Sequence, residues 1–171
     1  DSMSGSFEQM HVPPTLVSFA VGACPADNII SNEFKRSGAK VGLLAPEYGA
    51  DGLPTAESLR ALFDRVTALI RKGEIVSAQA IGMGGAAEAV FKMGLGNRIG
   101  FRFADGSKEL FKRRYGGFVV EYAEGAQAEG LLGETTAEYA LTLDGESVCG
   151  DALEDIYNAK LEDVFPVRAA Q

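Results

Sequence analysis

The 171 residues predict an α+β fold, a mixed β-sheet with helices packed on it. Three observations carry this. Short apolar runs alternate irregularly with helical patterns, in the order strand, strand, helix, strand, helix, strand, strand, hairpin, helix. One long segment is strongly amphipathic: Leu59, Leu62, Phe63, Val66, Leu69 and Ile70 fall on a single helical face. Asp144-Gly145, between two short strand candidates, is a hairpin signal that a purely parallel sheet would not contain.

Taken in order, residues 1–14 are polar and close on Pro13-Pro14, which reads as an extended arm or loop. Thr15 to Ala23 is almost continuously apolar and reads as a strand covered on both faces. A connection from Pro25 to Gly38 holds a short helical turn around Ser31 to Arg36, and Lys40 to Pro46 is the second strand. Thr55 is placed to cap the amphipathic helix, with Arg60, Asp64, Arg65 and Arg71 off its apolar stripe and Gly73 at its end. Ile75-Val76 begins a strand, a glycine-rich loop and a buried helix follow, and Ile99 to Phe103 is the next strand. Ser107 to Arg113 reads as a short helical piece. Gly117 to Tyr122 is a strand whose alternation, Phe118, Val120 and Tyr122 against Val119 and Glu121, predicts one less-buried face. Leu131 to Thr135, Tyr139 to Leu143 and Ser147 to Cys149 are further strands. Asp151 caps a last helix carrying Leu153, Ile156, Tyr157 and Leu161, closed by Pro166.

Composition narrows the function. A 46% hydrophobic, 23% charged chain is ordinary for one globular domain with a real core. The net charge of -8, with Lys112-Arg113-Arg114 the longest basic run, argues against a nucleic-acid partner. Two cysteines, Cys24 and Cys149, and one histidine, His11, are too few for a Cys/His zinc site. Two reduced thiols are expected, a Cys24–Cys149 disulfide being the alternative. No apolar run reaches the roughly 18 residues of a membrane span, so the protein reads as soluble, off the membrane and cytoplasmic. No Ser-His-Asp or Cys-His arrangement can be argued, and no catalytic residue is assigned.

The chain is organised around Gly82-Met83-Gly84-Gly85 and the Ala-rich helix that follows, to Asn97. Glycine there frees the backbone for positive φ and close approach, and a loop at a helix start presents unpaired N–H groups to a phosphate. Gly82, Gly84 and Gly85 are therefore candidate phosphate ligands; the alternative is that they only let helix and sheet pack closely. Asp1, Ser2 and Ser4 are candidate contacts to phosphate or metal across a domain boundary. Asn97 is a cap or a ligand contact, Glu88 and Lys92 are spaced for an i, i+4 ion pair, and His11 is a surface or interface residue.

Several pieces in sequence order resemble the carboxy-terminal domain of the family that contains aminoimidazole ribonucleotide (AIR) synthetase, selenophosphate synthetase and the phosphoribosylformylglycinamidine synthases. Asp1-Ser2-Met3-Ser4 is similar to the end of a Gly-Lys-Asp-Ser-Met-Ser motif, and Pro13-Pro14-Thr15-Leu16-Val17-Ser18-Phe19-Ala20 to the strand after it. Gly84-Gly85 with Met93-Gly94-Leu95-Gly96-Asn97-Arg98-Ile99-Gly100 resembles a second signature, and Val164-Phe165-Pro166 a connection toward a glutaminase domain. The resemblance spans essentially the whole chain and is nearest to the second of the two repeated halves of phosphoribosylformylglycinamidine synthases.

The resemblance implies a three-layer α/β/α sandwich with a mixed, partly ferredoxin-like sheet. It divides the chain into an arm, 1–14, from a preceding ATP-binding domain motif and an AIR-synthetase-like domain, 15–171. It implies an ATP- and glutamine-dependent amidation in purine biosynthesis, with magnesium and ATP used by the full enzyme, and ATP-binding and glutaminase domains of the same polypeptide as partners. Homodimerisation is a further expectation. Many members write the loop as Ser-Asp-Gly-Gly, whereas this chain has Met83 before Gly84-Gly85 and Ala80 upstream, neither able to hold magnesium. The expected role is therefore structural or at a ligand's edge, with no activity alone. The competing reading is an independent non-catalytic ligand-binding or assembly module.

Overall fold

A computed structural model describes residues 2–164, apart from the side chains of Ser2 and Asn28. Its body is a seven-stranded mixed sheet. The strands are β3 (Lys40–Leu44), β4 (Ile75–Ala80), β5 (Gly100–Phe103), β6 (Phe118–Tyr122), β7 (Leu131–Thr136), β8 (Ala140–Leu143) and β9 (Glu146–Cys149), in the order β4-β6-β3-β7-β5-β8-β9. Every neighbouring pair is antiparallel except β5 with β8. It follows that β3, β4, β5 and β8 run one way and β6, β7 and β9 the other.

The helices lie on both faces. Helix α1 (Ala56–Arg71) packs its stripe, Leu62, Val66, Leu69 and Ile70, on Leu44, Ile75, Val120 and Tyr122. Helix α2 (Gly85–Leu95) packs Ala86, Ala89, Val90 and Met93 on Val41, Phe101, Phe103, Val119 and Leu132. Alternate residues of β6 serve the two cores, Val119 one and Val120 the other, so the sheet is the middle layer of three. Helix α3 (Gly150–Ala159) lies beside α2, with Phe91 and Tyr157 edge to face at 5.7 Å. The sandwich and the mixed sheet agree with the predicted class. Thr55 caps α1 as expected, its side chain accepting from the Ser58 amide.

Several local expectations are corrected. The first residues form a ribbon, β1 (Ser2–Phe7) against β2 (Met10–Leu16), separate from the main sheet. The strand expected over Thr15 to Ala23 ends at Leu16, and its first two residues belong to β2. Pro13-Pro14 is tolerated inside β2 because it sits at a bulge, two residues facing the single Ser4 between the Met3–Thr15 and Gly5–Val12 pairs. Ser31 to Arg36 is not helical; the one short helical turn in that connection is Ala26–Asn28. Residues 107–113 are irregular apart from a turn at Leu110-Phe111, with Glu109 at φ 54° interrupting any helix.

Strand β6 is buried on both faces, including Glu121, because β6 lies between β4 and β3 and under helices on either side. Helix α3 begins one residue before Asp151, with Cys149 at the cap position, and Asp151 stands in its first turn. It ends at Ala159, and Pro166 lies outside the described residues. Ile156 on the helix and Leu161 beyond its end are exposed, so the helical spacing there does not mark a buried stripe.

Candidate functional site

The glycine-rich loop lies where β4 gives way to α2. Ile81 donates its amide to Gly117 O at 3.0 Å, tying the loop to the segment leading into β6. Gly84 is the cap residue and Gly85 opens the helix with φ 71°. The segment from β5 to β6 crosses directly over that turn: a Cβ on Gly85 would lie 2.4 Å from Leu110 O and 2.7 Å from the Phe111 carbonyl carbon. Ala87 donates its amide to Leu110 O at 3.0 Å. Glycine is required here for close approach and for the left-handed backbone together.

The Gly84, Gly85 and Ala87 amides at this helix start have partners within the chain. Gly85 N donates to Gly82 O at 3.2 Å, and Gly84 N donates to Glu88 Oε2 at 2.7 Å. Glu88 Oε1 in turn meets Lys92 Nζ at 2.7 Å, the ion pair that the i, i+4 spacing predicts. The hydrogen bond from Lys92, then that from the Gly84 amide, hold the Glu88 carboxyl below the ordinary carboxylate range, and Glu88 raises the Lys92 ammonium above its own. The sequence reading found the ion pair but not the backbone contact. Its signal was a Glu one turn into a helix whose cap residue has no side chain.

Magnesium does not fit this loop. Ala80 and Met83 offer no carboxylate, Met83 is exposed at the tip, and Glu88 is engaged by an amide and an ammonium. Among the described residues no group of three or more His, Cys, Asp or Glu side chains is placed to hold a metal ion. Beside the loop opens a cleft of about 480 Å³, walled by Phe91, Phe103, Phe111, Leu141, Leu143 and Val148. Its surface is carbon rather than cation, which suits an apolar group and not a phosphate.

The remaining candidates lie elsewhere. Asp1 is outside the described residues. Ser2 and Ser4 belong to β1, and the recess at Ser4 is lined by Met3, Pro14, Thr15 and Leu16 of the same ribbon, not by the glycine loop. His11 Nδ1 lies 2.9 Å from Ser6 Oγ across the ribbon. Asn97 donates to Phe34 O at 2.8 Å, fastening the connection before β3 to the end of α2. Lys112 and Arg114 both reach Glu109, at 2.9 and 3.5 Å. Cys24 and Cys149 are free and exposed.

One polar site was missed altogether. Glu121, wholly buried, accepts from the Lys35 amide at 2.8 Å, the Ser77 hydroxyl at 2.9 Å and the Arg36 amide at 3.3 Å. Its carboxylate clamps the connection before β3 onto the sheet. Phe34, in the same connection, is buried and stacks on Phe101 at 5.8 Å. The signal was a lone acidic residue within an apolar strand, which alternation alone assigns to the surface.

No protein-family model matches the sequence, and no curated protein matches it. Solved structures match the fold. Phosphoribosylformylglycinamidine synthase II of Thermotoga maritima aligns with a TM-score of 0.62 at 14% identity, over 75% of this chain and 28% of that one. The T. maritima PurL complexed with AMPPCP gives 0.62 at 16%, over 75% and 27%. The PurLQS structure from the same organism gives 0.62 at 13%, over 76% and 28%. What is shared is the fold. The chain spans about 28% of the length of the first of these structures. No described helix is long and apolar enough to cross a membrane.

Proposed function

We propose that this chain is an AIR-synthetase-like domain of a phosphoribosylformylglycinamidine synthase, and that it acts as scaffold within that enzyme. The observation that carries the reading is the fold match to T. maritima PurL over three quarters of the chain. The order of the sequence motifs supports it independently. In this reading the full enzyme amidates formylglycinamide ribonucleotide in the cytoplasm, using ATP, magnesium and ammonia released from glutamine. Nucleotide activation and ammonia release belong to neighbouring domains.

This domain's own residues fit the supporting role. The Glu88 carboxylate takes the Gly84 amide that a phosphate would need, and Lys92 balances the carboxylate's charge, so the loop is closed by its own helix. Leu110 and Phe111 then lock that helix to the segment before β6. The loop thereby fixes where α2 lies on the sheet and where the carboxyl ends of β3, β4, β5 and β8 face a neighbour.

The test is an amidation assay. The complete polypeptide that carries these residues is expected to form the amidine from formylglycinamide ribonucleotide, ATP and glutamine, and the 171-residue chain alone to form none. A complete polypeptide without that activity, or turnover by the chain alone, overturns the reading.

A further inference from the structure

The scaffold role makes no use of the cleft beside the glycine loop. Three elements wall it: α2 with Phe91, the segment before β6 with Phe111, and the β8–β9 hairpin with Leu141, Leu143 and Val148. Phe103, buried, lines it as well. Phe111 is 75% and Val148 50% exposed, although both are apolar. The walls are held by contacts outside the cleft: Leu110 O accepts from the Ala87 amide at 3.0 Å, Phe91 meets Tyr157 edge to face, and Phe103 meets Phe101 at 4.9 Å. Pre-formed apolar clefts of roughly 300–1,000 Å³ with a few placed polar groups are the usual form of a small-molecule site. This one measures about 480 Å³.

Charge decides which small molecule fits. The lining holds two carboxylates, Glu88 and Glu146, and no cationic side chain. Glu88 is engaged by the Gly84 amide and by Lys92. Glu146 is not engaged: among the described residues its carboxylate has no donor or cation as partner. Strand register sets its place. Leu141 pairs with Val148 and Leu143 with Glu146, and directly opposed residues point to the same face, so Glu146 stands in the apolar row that lines the cleft. We propose that this cleft binds a small organic cation, an aromatic or branched-alkyl body carrying an ammonium or guanidinium group. The body lies against Phe91, Phe103 and Phe111, and the charge meets Glu146. A carboxylate beside apolar surface attracts a cation more strongly than one in open water, and it repels an anion of the same shape. The site uses none of the glycine-loop amides and does not depend on the synthase reading.

Equilibrium dialysis with naphthylmethylammonium tests the site, with naphthaleneacetate as the anion of like body. The 171-residue protein and the complete polypeptide that carries it are both expected to bind the ammonium saturably, at least about 10-fold more tightly than the acetate. Glu146→Gln is expected to remove that preference without weakening the acetate. Phe111→Ala is expected to weaken both ions about 10-fold. The contacts over Gly85 and with Ala87 are made by backbone atoms, so they survive that change. Val148→Ala, with a smaller loss for both ions, covers the case in which the Phe111 variant does not fold. Absence of saturable binding overturns the proposal, and so does equal affinity for the two ions. A preference that survives Glu146→Gln overturns it as well, leaving Glu146 as the guard of edge strand β9. Affinities unchanged by Phe111→Ala and Val148→Ala put the ligand elsewhere and overturn it. Binding by the 171-residue protein but not by the complete polypeptide overturns it too, because a neighbouring segment then fills the cleft.

Discussion

Two stretches, Met10 to Ala23 and Gly82 to Leu95, have similar apolar content and opposite fates. In the second, the backbone of Gly84, Gly85 and Ala87 finds partners in Glu88, Gly82 and Leu110, and Ala86, Ala89, Val90 and Met93 are buried against the sheet. In the first, no described side chain is buried. Apolarity foretells that a segment will be covered. It does not say by what, because burial depends on which element lies opposite.

The largest effect that sharpens this contrast belongs to Gly85→Ala. The new Cβ meets backbone at 2.4 and 2.7 Å in a left-handed conformation, so the β5–β6 segment has to lift from α2. Urea unfolding is expected to show a loss of about 4 kcal/mol. Glu121→Ala comes next, since it strands two amides and a hydroxyl in the core, at a cost of about 3 kcal/mol by the same measurement. Glu121→Gln, which keeps an acceptor, is expected to lose less.

Glu88→Ala is smaller, about 1 kcal/mol at pH 7, the usual cost of a helix cap. Its pH dependence has a definite sign. A carboxyl held below its ordinary 4.5 contributes stability that is fully present above that value and lost as pH falls through the lowered one. Wild type and Glu88→Ala are therefore expected to differ at neutral pH and to converge on acidification below 4.5, as read by thermal melts across pH. The smallest effect belongs to the exposed stretch: Phe19→Asp in the 171-residue protein is expected to change unfolding free energy by no more than about 0.5 kcal/mol. A loss as large as that of Glu121→Ala would erase the contrast between the two regions.

Much of the fold was legible because local signals and tertiary context agree. The α1 stripe, its Thr55 cap, the Asp144-Gly145 hairpin and the buried α2 all appear where periodicity and turn chemistry place them. The errors have physical causes. Thr15 to Ala23 reads as one strand because apolar content marks a segment without marking its end, whereas the strand stops at Leu16. Glu121 reads as surface because alternation counts charge as exposure, whereas two amides and a hydroxyl satisfy this carboxylate inside the protein. At the candidate site the glycines were legible and their partner was not: the Gly84–Glu88 contact is a backbone-to-side-chain bond that residue types alone do not specify.

The central claim is that the glycine loop is closed by Glu88 and serves as scaffold. Calorimetric titration of the folded 171-residue protein with ADP and magnesium tests it most directly. The account predicts no saturable heat, in the wild type and in Gly84→Val alike. Saturable binding that Gly84→Val abolishes would contradict it, by showing that a phosphate displaces the Glu88 carboxylate from the Gly84 amide.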